Sequence, residues 1–206
     1  MRPTVRIQYA WLLEKAASEH IRKGLGIDKP LAPPEVTKKR VADYEEAWRP
    51  YADRILQAIQ DVTGLKFRQN YIDVYIAPFF AAFSDPLVMG TRNEPDVFID
   101  VLTHELIHRI CGDNTSADFL VEPDWAKVFG SQYTEGTLAH IQIHAIHKAI
   151  YLDYLNEPER LKRDIENSRT YNGAEDYAAA WDYVEEHGYK KIIEQFKNAY
   201  KELAEL

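Results

Sequence analysis

The chain has 206 residues, 46% hydrophobic, 12% aromatic and 28% charged, a balance that excludes a disordered or fibrous protein and allows a full buried core. A formal net charge of −8 with no basic stripe argues against a nucleic-acid partner, whose phosphates demand concentrated Lys and Arg. The apolar stretches are short and broken by charge, and Met1-Arg2-Pro3-Thr4 is not followed by the apolar run of a secretory signal, so no membrane partner and a cytoplasmic location are expected.

From Val5 to Lys23 apolar residues recur at helical spacing (Ile7, Ala10, Trp11, Leu13, Ala16) and stop near Gly24 and Gly26, which predicts a helix. Asp28 to Val36, with Pro30, Pro33 and Pro34, is expected to be a connector. Helical spacing resumes from Thr37 to Val62 with Tyr44, Trp48, Ile55 and Ile59 as core candidates, a split or kink at Pro50 and a stop at Gly64. Tyr71 to Pro78 changes period and reads as a strand, and Ala81-Ala82-Phe83 and Leu87-Val88-Met89-Gly90 add short strands to a small sheet.

Asn93-Glu94-Pro95-Asp96 is a helix start, and that helix should run to Gly112. Gly112 to Gln132 lacks clear periodicity and is expected to be a long loop. A long helix from about Tyr133 to Leu155 follows, and after Pro158 two or more amphipathic helices, punctuated by Asn172-Gly173 and Gly188, are expected to form a surface tail. The fold class expected is α+β, mainly helical, with a small sheet packed on the Asn93 helix. It is read as one domain over 1–206: N-terminal helices in 1–70, sheet and core in 71–155, C-terminal helices in 156–206.

The chemistry concentrates in His104-Glu105-Leu106-Ile107-His108. Histidines four apart on a helix project from one face a turn apart and can hold one metal ion, with Glu105 turned toward the water that a catalytic metal leaves room for. Zinc suits imidazole nitrogens in a tetrahedral set and brings the pKa of water down to about 7, within reach of a carboxylate base. The expected cofactor is therefore Zn2+. A structural alternative is a pair of core histidines satisfied by backbone or carboxylate partners.

A third ligand is needed, and His140, His144 and His147 form a stripe at helical steps of four and three, continued by Tyr151. Five of the chain's seven histidines thus fall on two helical faces. Packing alone explains such a concentration poorly, because each buried imidazole needs a hydrogen bond or a metal. Asp100, one turn before His104, is either a partner for that ring or a solvated residue at the helix edge. His20 and His187 stand apart and read as structural. Cys111 is the single cysteine, which rules out an intramolecular disulfide and suits a reducing compartment, and it reads as a small buried group rather than a nucleophile.

With these residues in view, the pentapeptide resembles the zinc signature of the zincin metallopeptidases, and the order of sheet, first helix and second helix over roughly Tyr71 to Tyr151 resembles the gluzincin layout. Two departures stand out: His140 and His144 occupy the places where that layout has a Glu and an Asp, and the Gly and third His of metzincins are absent. The resemblance implies Glu105 as general base, His104, His108 and His140 as zinc ligands, and His144 as support or transition-state stabiliser, with the roles of His140 and His144 exchangeable. Glu135 matches the usual third-ligand type but also suits a solvated carboxylate in a helix's first turn. His147 is an oxyanion donor or a core hydrogen-bonding group, and Tyr133 and Tyr151 are weaker candidates for the same stabilising role.

The resemblance also implies a peptide or protein substrate, lying along the strand from Phe83 to Gly90 at the sheet edge, with Phe119, Leu120, Trp125 and Phe129 as pocket walls. Two other readings stay open: a zinc hydrolase of a non-peptide amide or ester, and a catalytically inactive metal-binding interaction protein. The sequence leaves the oligomeric state open.

Overall fold

The computed structural model describes residues 2–26, 33–115, 122–170 and 174–205. The protein is a mainly helical α+β structure with a small mixed sheet of four strands among the described residues. It divides into two compact units, Arg2–Ala52 with Gln69–Glu105 and Asp53–Arg68 with Leu106–Leu206. No helix among the described residues is long and apolar enough to cross a membrane.

The first unit holds the sheet. β1 (Thr4–Tyr9) pairs in parallel with β2 (Tyr71–Ile76), Thr4 opposite Tyr71 and Tyr9 opposite Ile76. The helix expected from Val5 to Lys23 is therefore a strand followed by α1 (Trp11–Leu25). Thr4-Val5-Arg6-Ile7-Gln8-Tyr9 alternates branched and polar residues, and β2 offers it a ladder that an isolated segment lacks. Arg6 forks onto Asp73 across that ladder at 2.7 and 2.8 Å. On β2 the alternate residues Ile72, Val74 and Ile76 are buried, each worth about 1.5–3 kcal/mol of transfer free energy.

β4 (Leu87–Met89) runs parallel to β2, and β3 (Phe83–Ser84) runs antiparallel to β4, giving the order β1-β2-β4-β3. The expectation that Phe83 to Gly90 forms one open edge strand holds only for Phe83–Ser84: the stretch is two antiparallel strands, with β3 at the edge and β4, which precedes the histidine helix, enclosed on both sides. Ladder bonds occupy both flanks of β4, so among the described residues β3 is the edge strand on that side of the sheet. Gly90 has no substitute here, since a Cβ would stand 2.4 Å from the Phe80 carbonyl oxygen.

α2 (Pro34–Trp48) begins at Pro34, inside the stretch expected to be a connector, because a proline with no N–H to satisfy fits a helix's first position. It packs against β1. Its Tyr44 is fully buried, stacks on Phe98 at 3.9 Å between ring centroids, and donates its hydroxyl to the Asn93 carbonyl at 2.8 Å.

Next comes α4 (Pro95–Asp113), an unbroken helix whose first part, to Glu105, belongs to the first unit and whose remainder belongs to the second.

In the second unit the spine is α6 (Glu135–Ala149), continued by a π-helical segment Ile150–Leu155. α7 (Pro158–Ser168), α8 (Glu175–His187) and α9 (Tyr189–Ala204) follow, and α8 and α9 both pack on α6. The expected surface tail is core: Ala180, Trp181, Val184, Ile192 and Phe196 are fully buried. Each helix shows water only one face, and a polar stripe in sequence does not reveal how deep the opposite face lies. α3 (Ala52–Thr63) adds Ile55, Leu56 and Ile59, and the break near Pro50 separates it from α2.

The stretch expected to be an unstructured loop from Gly112 to Gln132 contains α5 (Trp125–Phe129), whose first turn is capped by Asp124 accepting from the Lys127 amide at 3.0 Å. Trp125 stacks on Phe129 and on Phe196 at 5.6 and 5.9 Å between centroids. Phe119 and Leu120, named above as pocket walls, and Asn172-Gly173 lie outside the described residues.

Candidate metal centre

α4 is tied at both ends. Asn93, just before it, accepts the Tyr44 hydroxyl, and Asn114, just after it, donates its amide to the Ile110 carbonyl at 2.7 Å. Phe98, Ile99, Leu102, Leu106, Ile107 and Ile110 are buried, which turns the remaining face, with His104 and His108, toward a less enclosed environment. Spaced four apart, the two imidazoles stand one above the other. Asp100, a turn earlier, is fully buried, which rules out the solvated placement considered for it.

His140 comes from α6. One ring nitrogen from each of His104, His108 and His140 can be chosen such that all lie within 4.8 Å of one another, and among the described residues no other group of three or more His, Cys, Asp or Glu meets that condition. The His108 and His140 rings meet edge to face, 5.2 Å between centroids and 80° between planes. Nδ1 of His140 lies 2.7 Å from the Gly136 carbonyl oxygen. A carbonyl only accepts, so Nδ1 carries the proton and Nε2 keeps its lone pair for a cation.

The electrostatics favour neutral rings. Burial, reinforced by His140, pushes protonation of His108 down to about 3, and burial lowers that of His140 as well. Neutral imidazoles are the form in which histidine binds metal, and a set of nitrogen donors fits zinc better than a hard oxygen-seeking ion. Glu105, next to His104, is nearly enclosed, and desolvation raises its carboxyl to about 7. A carboxylate so placed exchanges protons readily near neutral pH.

The other sequence candidates are distributed around this group. His144 is buried and stacks on Trp181, 4.2 Å between centroids and 9° between planes, with its ring 5.7 Å from that of His140. Burial, then the neighbouring His140, holds its protonation well below the ordinary histidine range. His147 is fully buried and faces α7, its Nδ1 3.4 Å from an Asp164 carboxylate oxygen and its ring 4.7 Å from Tyr151. Glu135 is exposed in the first turn of α6. Tyr133 lies against Tyr183, and Tyr151 is fully buried.

His20 is exposed on α1, and His187 stacks on Tyr183 at the end of α8 with its Nδ1 donating to the Tyr183 carbonyl at 3.1 Å. Cys111 accepts the Tyr200 hydroxyl at its main-chain carbonyl, 3.2 Å away, and burial raises its thiol to about 12, so the sulfur stays protonated at neutral pH.

Sequence reasoning missed two residues on α8. The Tyr177 ring lies 4.1 Å from the His140 ring and 5.6 Å from that of His144. Asp176 accepts hydrogen bonds from Thr134, at very short range, and from Thr137 at 3.0 Å. Thr134 is the N-cap of α6, its hydroxyl oxygen accepting from the Thr137 amide at 3.1 Å. These donors hold the Asp176 carboxyl below its usual range. Nothing local in Glu175-Asp176-Tyr177 marks a site; only the packing of α8 on α6 brings them there.

No protein-family model matches this chain, and neither characterised proteins nor solved structures yield a match.

Proposed function

We propose that this protein is a zinc-dependent metallopeptidase of the zincin type, with Zn2+ held by His104, His108 and His140. One observation carries the reading: three histidine nitrogens within 4.8 Å of one another, with Glu105 adjacent to the first of them on the same helix. His140 presents Nε2 because Gly136 holds its Nδ1–H, and His108 stays neutral because it is desolvated. His144 backs His140 and remains the alternative third ligand.

When bound, zinc would supply Lewis-acid polarisation of the scissile carbonyl and lower the pKa of a water molecule to about 7. Glu105 takes the proton of the attacking water as that water's oxygen bonds the carbonyl carbon, and passes it to the amine nitrogen as the C–N bond breaks, a transfer for which a carboxyl raised to about 7 is well matched. The ring of Tyr177 shields one side of His140. The expected partner is a peptide or protein; the net charge of −8 speaks against nucleic acid. A cytoplasmic location belongs to the same proposal and is tested by fractionating cells that express the tagged chain.

A second reading, hydrolysis of a non-peptide amide or ester, is favoured by the enclosure of β4, which leaves an extended substrate only Phe83 and Ser84 at that side of the sheet. Metal analysis of the purified chain, of His104→Ala and of His140→Ala tests the centre: stoichiometric zinc in the parent and its loss in both variants are expected. A metal-free parent would end the proposal. Cleavage of a peptide library against a panel of simple amides and esters separates the two substrate classes.

A further inference from the structure

The first turn of α6 contains an apparent defect. Gly136 stands where alanine would favour the helix by about 1 kcal/mol, and its carbonyl is the one that takes the His140 Nδ1–H. The reason for glycine lies on α8. A Cβ at Gly136 would stand 2.1 Å from one Asp176 carboxylate oxygen and 2.7 Å from its carboxyl carbon. The Asp176 carboxylate therefore sits directly on the bare Cα of Gly136. Its other oxygen receives the hydroxyls of Thr134 and Thr137, the residues on either side of Glu135-Gly136. Thr134 and Thr137 are themselves joined through the N-cap bond of 3.1 Å.

A glycine near a helix end is free to fray, and a frayed Gly136 would let its carbonyl swing away from His140. The Asp176 clamp removes that freedom. Its interactions embrace the residue that needs fixing, and the missing side chain lets the carboxylate come close enough to do it.

We propose that Asp176 is a positioning residue of the histidine centre: through Thr134, Thr137 and the uncovered Cα of Gly136 it fixes the carbonyl that orients the His140 ring with Nε2 available to a cation. This rests on the metal-centre reading for its purpose, while its geometry can be read without metal. A clamp of this kind acts on a ligand's tautomer and orientation, effects that typically change metal affinity by about 10–100-fold.

The test uses the full 206-residue chain. Long-range proton–nitrogen correlation spectra of the metal-free protein report which His140 nitrogen carries the proton. The parent is expected to show Nδ1–H alone, and Asp176→Ala a mixture of both tautomers. Asp176→Asn, which keeps an oxygen for the two hydroxyls, should stay close to the parent. Titration with Co2+ should then give about 10–100-fold weaker binding for Asp176→Ala and only a few-fold change for Asp176→Asn.

Should Asp176→Ala not fold, Thr134→Val takes its place with the same expected tautomer mixture, and Thr134→Ser, which restores the hydroxyl, should recover the parent spectrum. A folded Asp176→Ala or Thr134→Val with a pure Nδ1–H tautomer would overturn the proposal. A parent that takes up no Co2+ would sink the metal-centre reading, and the tautomer comparison would still decide the role of Asp176.

Discussion

His108 on α4 and His140 on α6 meet edge to face with 5.2 Å between their ring centroids. Each ring is desolvated and each sits beside the other, so both favour the neutral form that offers a lone pair. The pairing is local to the two helices.

Loss of either ring should remove a ligand. His140→Ala and His108→Ala are expected to weaken zinc binding by more than about 100-fold, since three protein ligands are the usual minimum of a catalytic zinc site. His144→Ala, whose ring is stacked on Trp181 outside the closest group, should keep zinc at full stoichiometry while losing folding stability. Competition titration with a chromogenic chelator measures the first effect, and zinc content per chain the second. Full loss of zinc in His144→Ala with retention in His140→Ala would exchange their roles.

Glu105→Gln should leave zinc in place and reduce turnover by about 100- to 10,000-fold, the range for removing a positioned proton-transfer group. The comparison requires metal content and cleavage rate from one preparation. An unchanged rate would point to a metal-binding protein without catalysis.

Zinc should stabilise the fold. At a free concentration 100 times its dissociation constant, a ligand that binds only the native state adds about 2.7 kcal/mol, so chelation should lower the thermal midpoint measurably. In His104→Ala the shift on chelation is expected to vanish. A parent whose midpoint ignores both zinc and chelator would contradict the assignment.

Trp181→Ala should cost about 3–5 kcal/mol in urea denaturation, because the indole is fully buried and lies flat against His144. A loss below about 1 kcal/mol would mean that α8 contributes little to holding α6.

Tyr44→Phe probes the start of the histidine helix more gently. It removes one hydroxyl donor to the Asn93 carbonyl while keeping the stack on Phe98, and a loss of about 0.5–1.5 kcal/mol is expected. Equal stability of parent and variant would show that the bond only replaces one to water.

Much of this was legible in the residues themselves. The helix from Pro95 announces itself by a proline in the first turn and a dense apolar pattern, the histidine spacing puts two rings on one face, and Tyr71 to Ile76 declares a strand by its branched and aromatic residues. These are short-range properties, set by backbone preferences within a turn or two. Where the choice depended on a distant partner, local pattern failed. Thr4–Tyr9 is a strand because β2 lies beside it, β4 is internal because β3 pairs with its outer side, and α8 is core because α6 is there to receive Trp181. The same holds at the centre. Spacing alone left His140 and His144 interchangeable, and only the packing of α6 distinguishes them: one ring is drawn to His108 and hydrogen-bonded to Gly136, the other laid on an indole. Periodicity determines which face a residue occupies; what that face meets is decided by contacts between segments far apart in the chain, which carry no trace in any short window of sequence.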